Sequence, residues 1–100
     1  MTIRIRQKSK YQGDDWWRWS IWVEGTPAEL DGIEKVIYTL HPTFANPVRT
    51  VEDRASKFGL HSSGWGGFGV FAQVFNKDGS SQKLQHFLKL FYPNNKLSEK

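Results

Sequence analysis

Residues 17–24 alternate without a break. Trp17, Trp19, Ile21 and Val23 hold the odd positions, and Arg18, Ser20, Trp22 and Glu24 the even ones. A period of two places the odd set on one face of an extended strand. Four large apolar side chains on one face need a second layer to cover them, so the segment predicts a strand inside a packed assembly rather than an isolated hairpin. Trp22, alone among the large apolar residues, falls on the opposite face.

Elsewhere helical periodicity is scarce. The only helix-like stretch, residues 27–35, contains Pro27 and Gly32, which are expected to break it. Residues 33–40, 67–75 and 83–92 are rich in β-branched and aromatic types and read as strands. The last two predict a hairpin, because Asp78-Gly79 between them supplies the positive φ that tight turns require. Residues 3–10 alternate small or apolar side chains with basic ones, as an edge strand does. Residues 41–47, bounded by Pro42 and Pro47, and residues 60–67, dense in Gly and Ser, read as loops. Seven or eight antiparallel strands punctuated by turns predict an all-β sandwich. With 100 residues the chain supports one domain, expected over 1–92 with a polar tail over 93–100.

The 15 aromatic residues divide into a strand-borne majority for the core and a loop-borne few. No cysteine is present, which removes disulfides, thiolate metal sites and a cysteine nucleophile. His41, His61 and His86 have no short metal-ligand spacing, and the glycines at 64, 66, 67 and 69 precede a strand rather than a helix, so no phosphate loop is expected. Asp14 and Asp15 read as a solvated turn and not as an acid–base pair. No catalytic residue, metal or cofactor is expected.

The net charge of +4 lies at the ends. Residues 1–18 carry five Lys and Arg against two Asp, residues 82–100 carry four Lys against one Glu, and residues 19–81 are net acidic. The central segment therefore has no basic stripe, and the two terminal segments form one only by meeting in space. Nucleic acid is not the expected partner. The first 30 residues show no secretory signal and no apolar run approaches the ~18 residues of a membrane span, so no membrane insertion is expected.

Two loop segments carry the unusual chemistry, LHPTFANP over 40–47 and SGWGGFGVF over 63–71. Large rings on loops such as Phe44 and Trp65 either fold back as plugs over the end of the sandwich or face a ligand, and glycines around Trp65 shift the balance because they let a ligand or backbone approach. Together with W-x-x-W-V-x-G over 19–25 and VIYTLHPTFANP over 36–47, GWGGFGV over 64–70 resembles the YEATS domain in order, spacing and residue type, over residues 17–92. The freestanding form is similar to the prokaryotic branch. The resemblance implies an immunoglobulin-like β-sandwich and a non-enzymatic reader of acyl-lysine, acetyl or crotonyl, borne on a peptide or protein. A histone-like ligand and a nuclear location would follow in a eukaryote, a cytoplasmic one in a prokaryote.

Carried over residue by residue, the pocket is implied to comprise His41, Thr43 and Phe44 from the first loop and Gly64, Trp65, Gly66 and Phe68 from the second. Thr43 would accept from the amide N–H, and the Trp65 backbone N–H would donate to the amide carbonyl. Phe44 and Trp65 would flank the flat acyl group, with Phe68 and His41 at the sides. Three departures from the family pattern stand out. Trp16 occupies the region of a further upstream aromatic, Thr43 stands where serine is common, and Pro42 stiffens the loop. Read from the residues alone, three rivals stay open: a protein-interaction module using strand edges or Trp16 and Trp22, a carbohydrate-binding sandwich, and a binder of single-stranded nucleic acid.

Overall fold

In the computed structural model, which describes residues 3–97, the alternating segment is the central strand of a sheet. That sheet contains β1 (Arg4–Gly13), β2 (Trp16–Glu24) and β5 (Leu60–Gly64), in the order β1-β2-β5. The second contains β3 (Ile33–Thr39), β4 (Val48–Val51), β6 (Phe68–Asn76) and β7 (Ser81–Leu88), in the order β4-β3-β6-β7. Every pairing is antiparallel. The two sheets enclose one core and form an immunoglobulin-like β-sandwich, the fold class expected from the sequence.

Trp17, Trp19, Ile21 and Val23 of β2 are all buried and meet Val36 and Tyr38 of β3 with Val70, Ala72 and Val74 of β6 across the sandwich. Burial of each large side chain contributes about 1.5–3 kcal/mol relative to exposure. The Tyr38 hydroxyl donates to the Phe58 carbonyl at 2.6 Å, and burial pushes its phenol well above the usual range. The β6–β7 hairpin forms as expected, with Gly79 at φ 91° and the Asn76 N–H bonded to the Ser80 carbonyl.

Several expectations are corrected. Residues 27–31 form a one-turn helix, α1 (Pro27–Asp31), rather than a broken stretch. Thr26 and Glu29 make a reciprocal capping box, Pro27 occupies the first turn where its missing N–H costs nothing, and Gly32 ends the helix. Proline and glycine are the boundaries here, not interruptions. The segment 60–67 is mostly strand: β5 takes Leu60–Gly64, and its pairing with β2 outweighs the Gly and Ser content. Four residues, Val48–Val51, add an edge strand that carries no distinct sequence signal. Phe71 and Phe87, counted among core aromatics, are 54 % and 60 % exposed on the outer face of the four-stranded sheet, because their strand parity is opposite to that of Val70 and Leu88.

The expected tail folds back on the end of the domain, the Lys96 carbonyl accepting from the Tyr92 N–H and Leu97 bridging to Phe91, while 98–100 lie outside the described residues. The terminal segments do meet. Gln7 of β1 donates to the Lys89 carbonyl at 2.6 Å and accepts from the Lys89 N–H and from His86 Nε2.

Candidate functional site

The first loop is tied at its base and folded on itself. Leu40 N–H donates to the Pro47 carbonyl at 2.8 Å, and Phe44 N–H donates to the His41 carbonyl at 3.0 Å. Pro42 suits the second position of that turn because its φ is already fixed near the required value. Arg49, on β4, donates from its guanidinium to the carbonyls of Asn46 and Ala45, and so fastens the loop to the neighbouring strand.

Inside this loop the Thr43 N–H and hydroxyl both reach His41 Nδ1, at 3.2 and 2.9 Å. A backbone N–H can only donate, so Nδ1 offers a lone pair and the ring proton is assigned to Nε2. The hydroxyl then donates to the same nitrogen, which leaves its oxygen lone pairs to accept from another group. Phe44 turns inward, edge-on to Trp19 at 6.0 Å and tilted against Phe68 at 5.1 Å between ring centroids.

The second loop is only Trp65, Gly66 and Gly67, between β5 and β6. A Cβ on Gly67 would lie 2.3 Å from the Leu88 carbonyl oxygen, so this close approach requires glycine. The short connection leaves Trp65 55 % exposed and without a ring partner among the described residues. Gly64, at the end of β5, lies beneath Phe44. A Cβ there would sit 3.6 Å from Phe44 Cζ and 3.8 Å from Trp19 Nε1, ordinary contact distances. Trp19 Nε1 is itself buried with no hydrogen-bond partner among the described residues. Leaving a buried donor unpaired costs about 1–3 kcal/mol.

The two loops bound a cavity of about 460 Å³. His41, Thr43 and Phe44 line it from one side, Gly64, Trp65, Gly66 and Phe68 from the other, and Trp16 from the start of β2. Phe68 is the first residue of β6 and buried, so it belongs to the floor rather than to a loop wall. Ala45, Ser63 and Gly67 complete the lining. They lie inside the two segments already distinguished, but small size gave them no signal of their own. The role of Arg49 in fastening the loop had no sequence signal at all, since it depends on β4.

None of the lining residues is Lys, Arg, Asp or Glu. Among the described residues no three His, Cys, Asp or Glu side chains gather as a metal site would require. The volume falls in the range of small-ligand sites. Its chemistry, flat rings plus a hydroxyl acceptor and backbone groups, suits a neutral planar group better than an ion.

Comparison with known proteins agrees with this architecture. The chain is 34 % identical over 89 residues to the AF-9 homolog of Schizosaccharomyces pombe, covering 84 % of this chain and 40 % of that protein. It is 37 % identical over 71 residues to the Saccharomyces cerevisiae AF-9 homolog, covering 69 % of this chain and 30 % of that one. The chain therefore spans well under half of these relatives. The Yaf9 YEATS domain bound to H3K27ac superposes with a TM-score of 0.74 at 25 % identity, covering 97 % of this chain and 79 % of that one. The Yaf9 YEATS domain recognising an H3K122suc peptide gives 0.72 at 27 % identity, covering 92 % and 74 %. The prokaryotic YEATS domain model matches residues 17–89, and with its sandwich and two-loop cavity the chain belongs to that family.

Proposed function

We propose that the chain is a non-enzymatic reader whose two-loop cavity binds the acylated side chain of a lysine on a protein partner. The observation that carries this reading is the lining itself: aromatic rings and neutral hydrogen-bonding groups, with no ionised side chain. An unmodified lysine would have to leave its ammonium, a strongly hydrated charge, in a site offering no counter-charge, at a cost of several kcal/mol. Acylation replaces that charge with a planar amide whose N–H and C=O can be satisfied. The Thr43 oxygen, its own proton directed to His41 Nδ1, accepts the amide N–H. The Trp65 backbone N–H donates to the acyl carbonyl, each such bond contributing about 0.5–1.5 kcal/mol. Phe44 and Trp65 flank the acyl group, Phe68 lies beneath it, His41 lines one side, Gly64 and Gly66 keep the walls open, and Trp16 stands at the mouth. The bound acyl-lysine peptides of the Yaf9 structures support the same assignment.

The test is calorimetric titration with matched peptides bearing free, acetyl, crotonyl or succinyl lysine. The reading predicts that the best acyl form binds at least about 100-fold more tightly than free lysine, consistent with a desolvation difference of a few kcal/mol. It also predicts that Thr43→Val and Trp65→Ala each weaken the acyl complex. Equal weak binding by all four peptides, unaffected by either substitution, contradicts it. A protein-docking module without acyl recognition is the second reading, favoured by the exposed Val48, Phe71 and Phe87 on the four-stranded sheet. Under that reading substitution of Phe71, and not of Trp65, would abolish partner binding.

A further inference from the structure

The outer face of the three-stranded sheet is cationic up to the mouth of the cavity. On β1, Arg4, Arg6, Lys8 and Lys10 share the outward parity, and Arg18 joins them from β2. The register arranges these residues in rows. Arg4 stands beside Glu24, Arg6 beside Trp22, Lys8 beside Ser20 and His61, and Lys10 beside Arg18 and Ser63. Ser63 lines the cavity, and Trp16, two residues before Arg18 on the same face, lines it too.

The charge along this face is not uniform. At the far end Glu24 holds both Arg4 and Arg6, at 3.2 and 3.1 Å. Lys8, Lys10 and Arg18, the three nearest the cavity, take part in no ion pair among the described residues. The acidic groups close to the mouth, Asp14 and Asp15, lie on the hairpin turn beyond Trp16, and Asp15 accepts from the Tyr92 hydroxyl at 2.7 Å. The unbalanced positive charge therefore extends from Ser63 back across β2 to β1 and away from the turn.

We infer that the protein partner carries acidic residues on one flank of its acyl-lysine, held by Lys8, Lys10 and Arg18. This rests on the acyl-lysine reading above and adds the chemistry of the sequence around the modified residue. Adjacent strands lie about 4.8 Å apart, so Ser63 to Lys10 spans roughly 10 Å, the reach of about three residues of extended peptide. Asp or Glu within three positions of the lysine would thus meet the three unpaired cations. A ligand with Arg or Lys in those positions would meet like charge instead. Three free cations over so short a span match a brief acidic flank better than the continuous track that a phosphate backbone requires.

The test uses the full chain and acetyl-lysine peptides of equal length. Their flanks are neutral, acidic on the N-terminal side, acidic on the C-terminal side, or basic. One acidic arrangement is expected to bind about tenfold more tightly than the neutral peptide at low salt, an advantage that shrinks towards nothing near 1 M salt, where the Debye length is only about 3 Å. The basic peptide is expected to bind most weakly. In Lys8→Gln/Lys10→Gln/Arg18→Gln the acidic-to-neutral affinity ratio should fall to about one, and Lys10→Glu/Arg18→Glu should invert it. These side chains are exposed, so circular dichroism should report an unchanged fold.

Equal binding of acidic and neutral peptides overturns the inference and leaves the reader assignment standing. Failure of every acetylated peptide and of its crotonyl and succinyl counterparts, whatever the flanks, removes both. A single-stranded oligonucleotide that binds with a steep salt slope through the same three cations, and is not displaced by acidic peptide, assigns the face to nucleic acid and overturns the inference.

Discussion

Trp17 and Trp19 stand two residues apart on one strand and face the same core, yet their surroundings differ in kind. Trp17 is closed in: its Nε1–H donates to the Phe91 carbonyl at 2.8 Å, and Tyr11 and Tyr92 pack on it at 5.1 and 5.0 Å. Both tyrosine hydroxyls are used as well, one accepting from the Asp15 N–H and the other donating to its carboxylate. Trp19 meets Phe44 and Phe68 at 6.0 and 5.8 Å, has no partner for its Nε1–H among the described residues, and borders the cavity through Gly64. A cluster with every polar atom paired fixes the sandwich. The neighbouring cluster, with one donor left unpaired among the described residues, borders the cavity in which the acyl group is proposed to sit.

Substitutions should separate these two roles. Trp17→Ala is expected to lose about 3–5 kcal/mol of unfolding free energy in a denaturant titration, with any loss of ligand binding following from unfolding. Gly67→Ala comes next, at about 1–3 kcal/mol, because backbone and not a flexible side chain occupies the space beside it. Gly64→Ala should cost under about 1 kcal/mol, and a larger loss would mean that the aromatic floor is packed as tightly as the Trp17 cluster. Trp65→Ala reverses the pattern: stability within about 0.5 kcal/mol of the parent, and acyl-peptide affinity reduced about tenfold or more. Should Trp65→Ala unfold the chain instead, the division between a closed structural cluster and an open binding one would fail.

The smallest effect concerns His86, at the β1–β7 contact, where its Nε2 bonds to Gln7. Burial, followed by the nearby Lys89 and Arg6 charges, lowers its pKa below the ordinary 6.5. The fold thus favours the neutral ring, and the associated stability is present above pH 6.5 and lost as pH falls through that value towards the depressed one. His86→Gln should flatten this part of the stability profile in denaturant titrations between pH 7.5 and 5. A parent profile that rises with acidification would contradict it.

Much of the closed cluster was legible because burial follows strand parity. The alternation at 17–24 puts Trp17 and Trp19 inside, and Asp78-Gly79 marks the hairpin that closes the second sheet. Parity also explains the misses: Phe71 and Phe87 have core composition but outward positions, which depend on register with β3 and β6 rather than on residue type. Thr26 and Glu29 enclose Pro27 in a capping box that the sequence displays, yet a rule treating proline only as a breaker overlooks it. The loop residues were found through family-like motifs. What placed His41, Thr43 and Trp65 around one cavity was the hydrogen bond from Leu40 to Pro47 that closes the loop, the anchoring by Arg49 on an unforeseen strand and the approach of Gly67 to Leu88 far along the chain, none of which residue type alone displays.

The most direct test follows the indole N–H resonances of the five tryptophans during titration with an acetyl-lysine peptide and its unmodified counterpart. The account predicts that the acetylated peptide shifts Trp65, Trp19 and Trp16 while Trp17 stays in place, and that the unmodified peptide shifts none of them. Movement of Trp17 without Trp19 or Trp65, or the same shifts with both peptides, would contradict it.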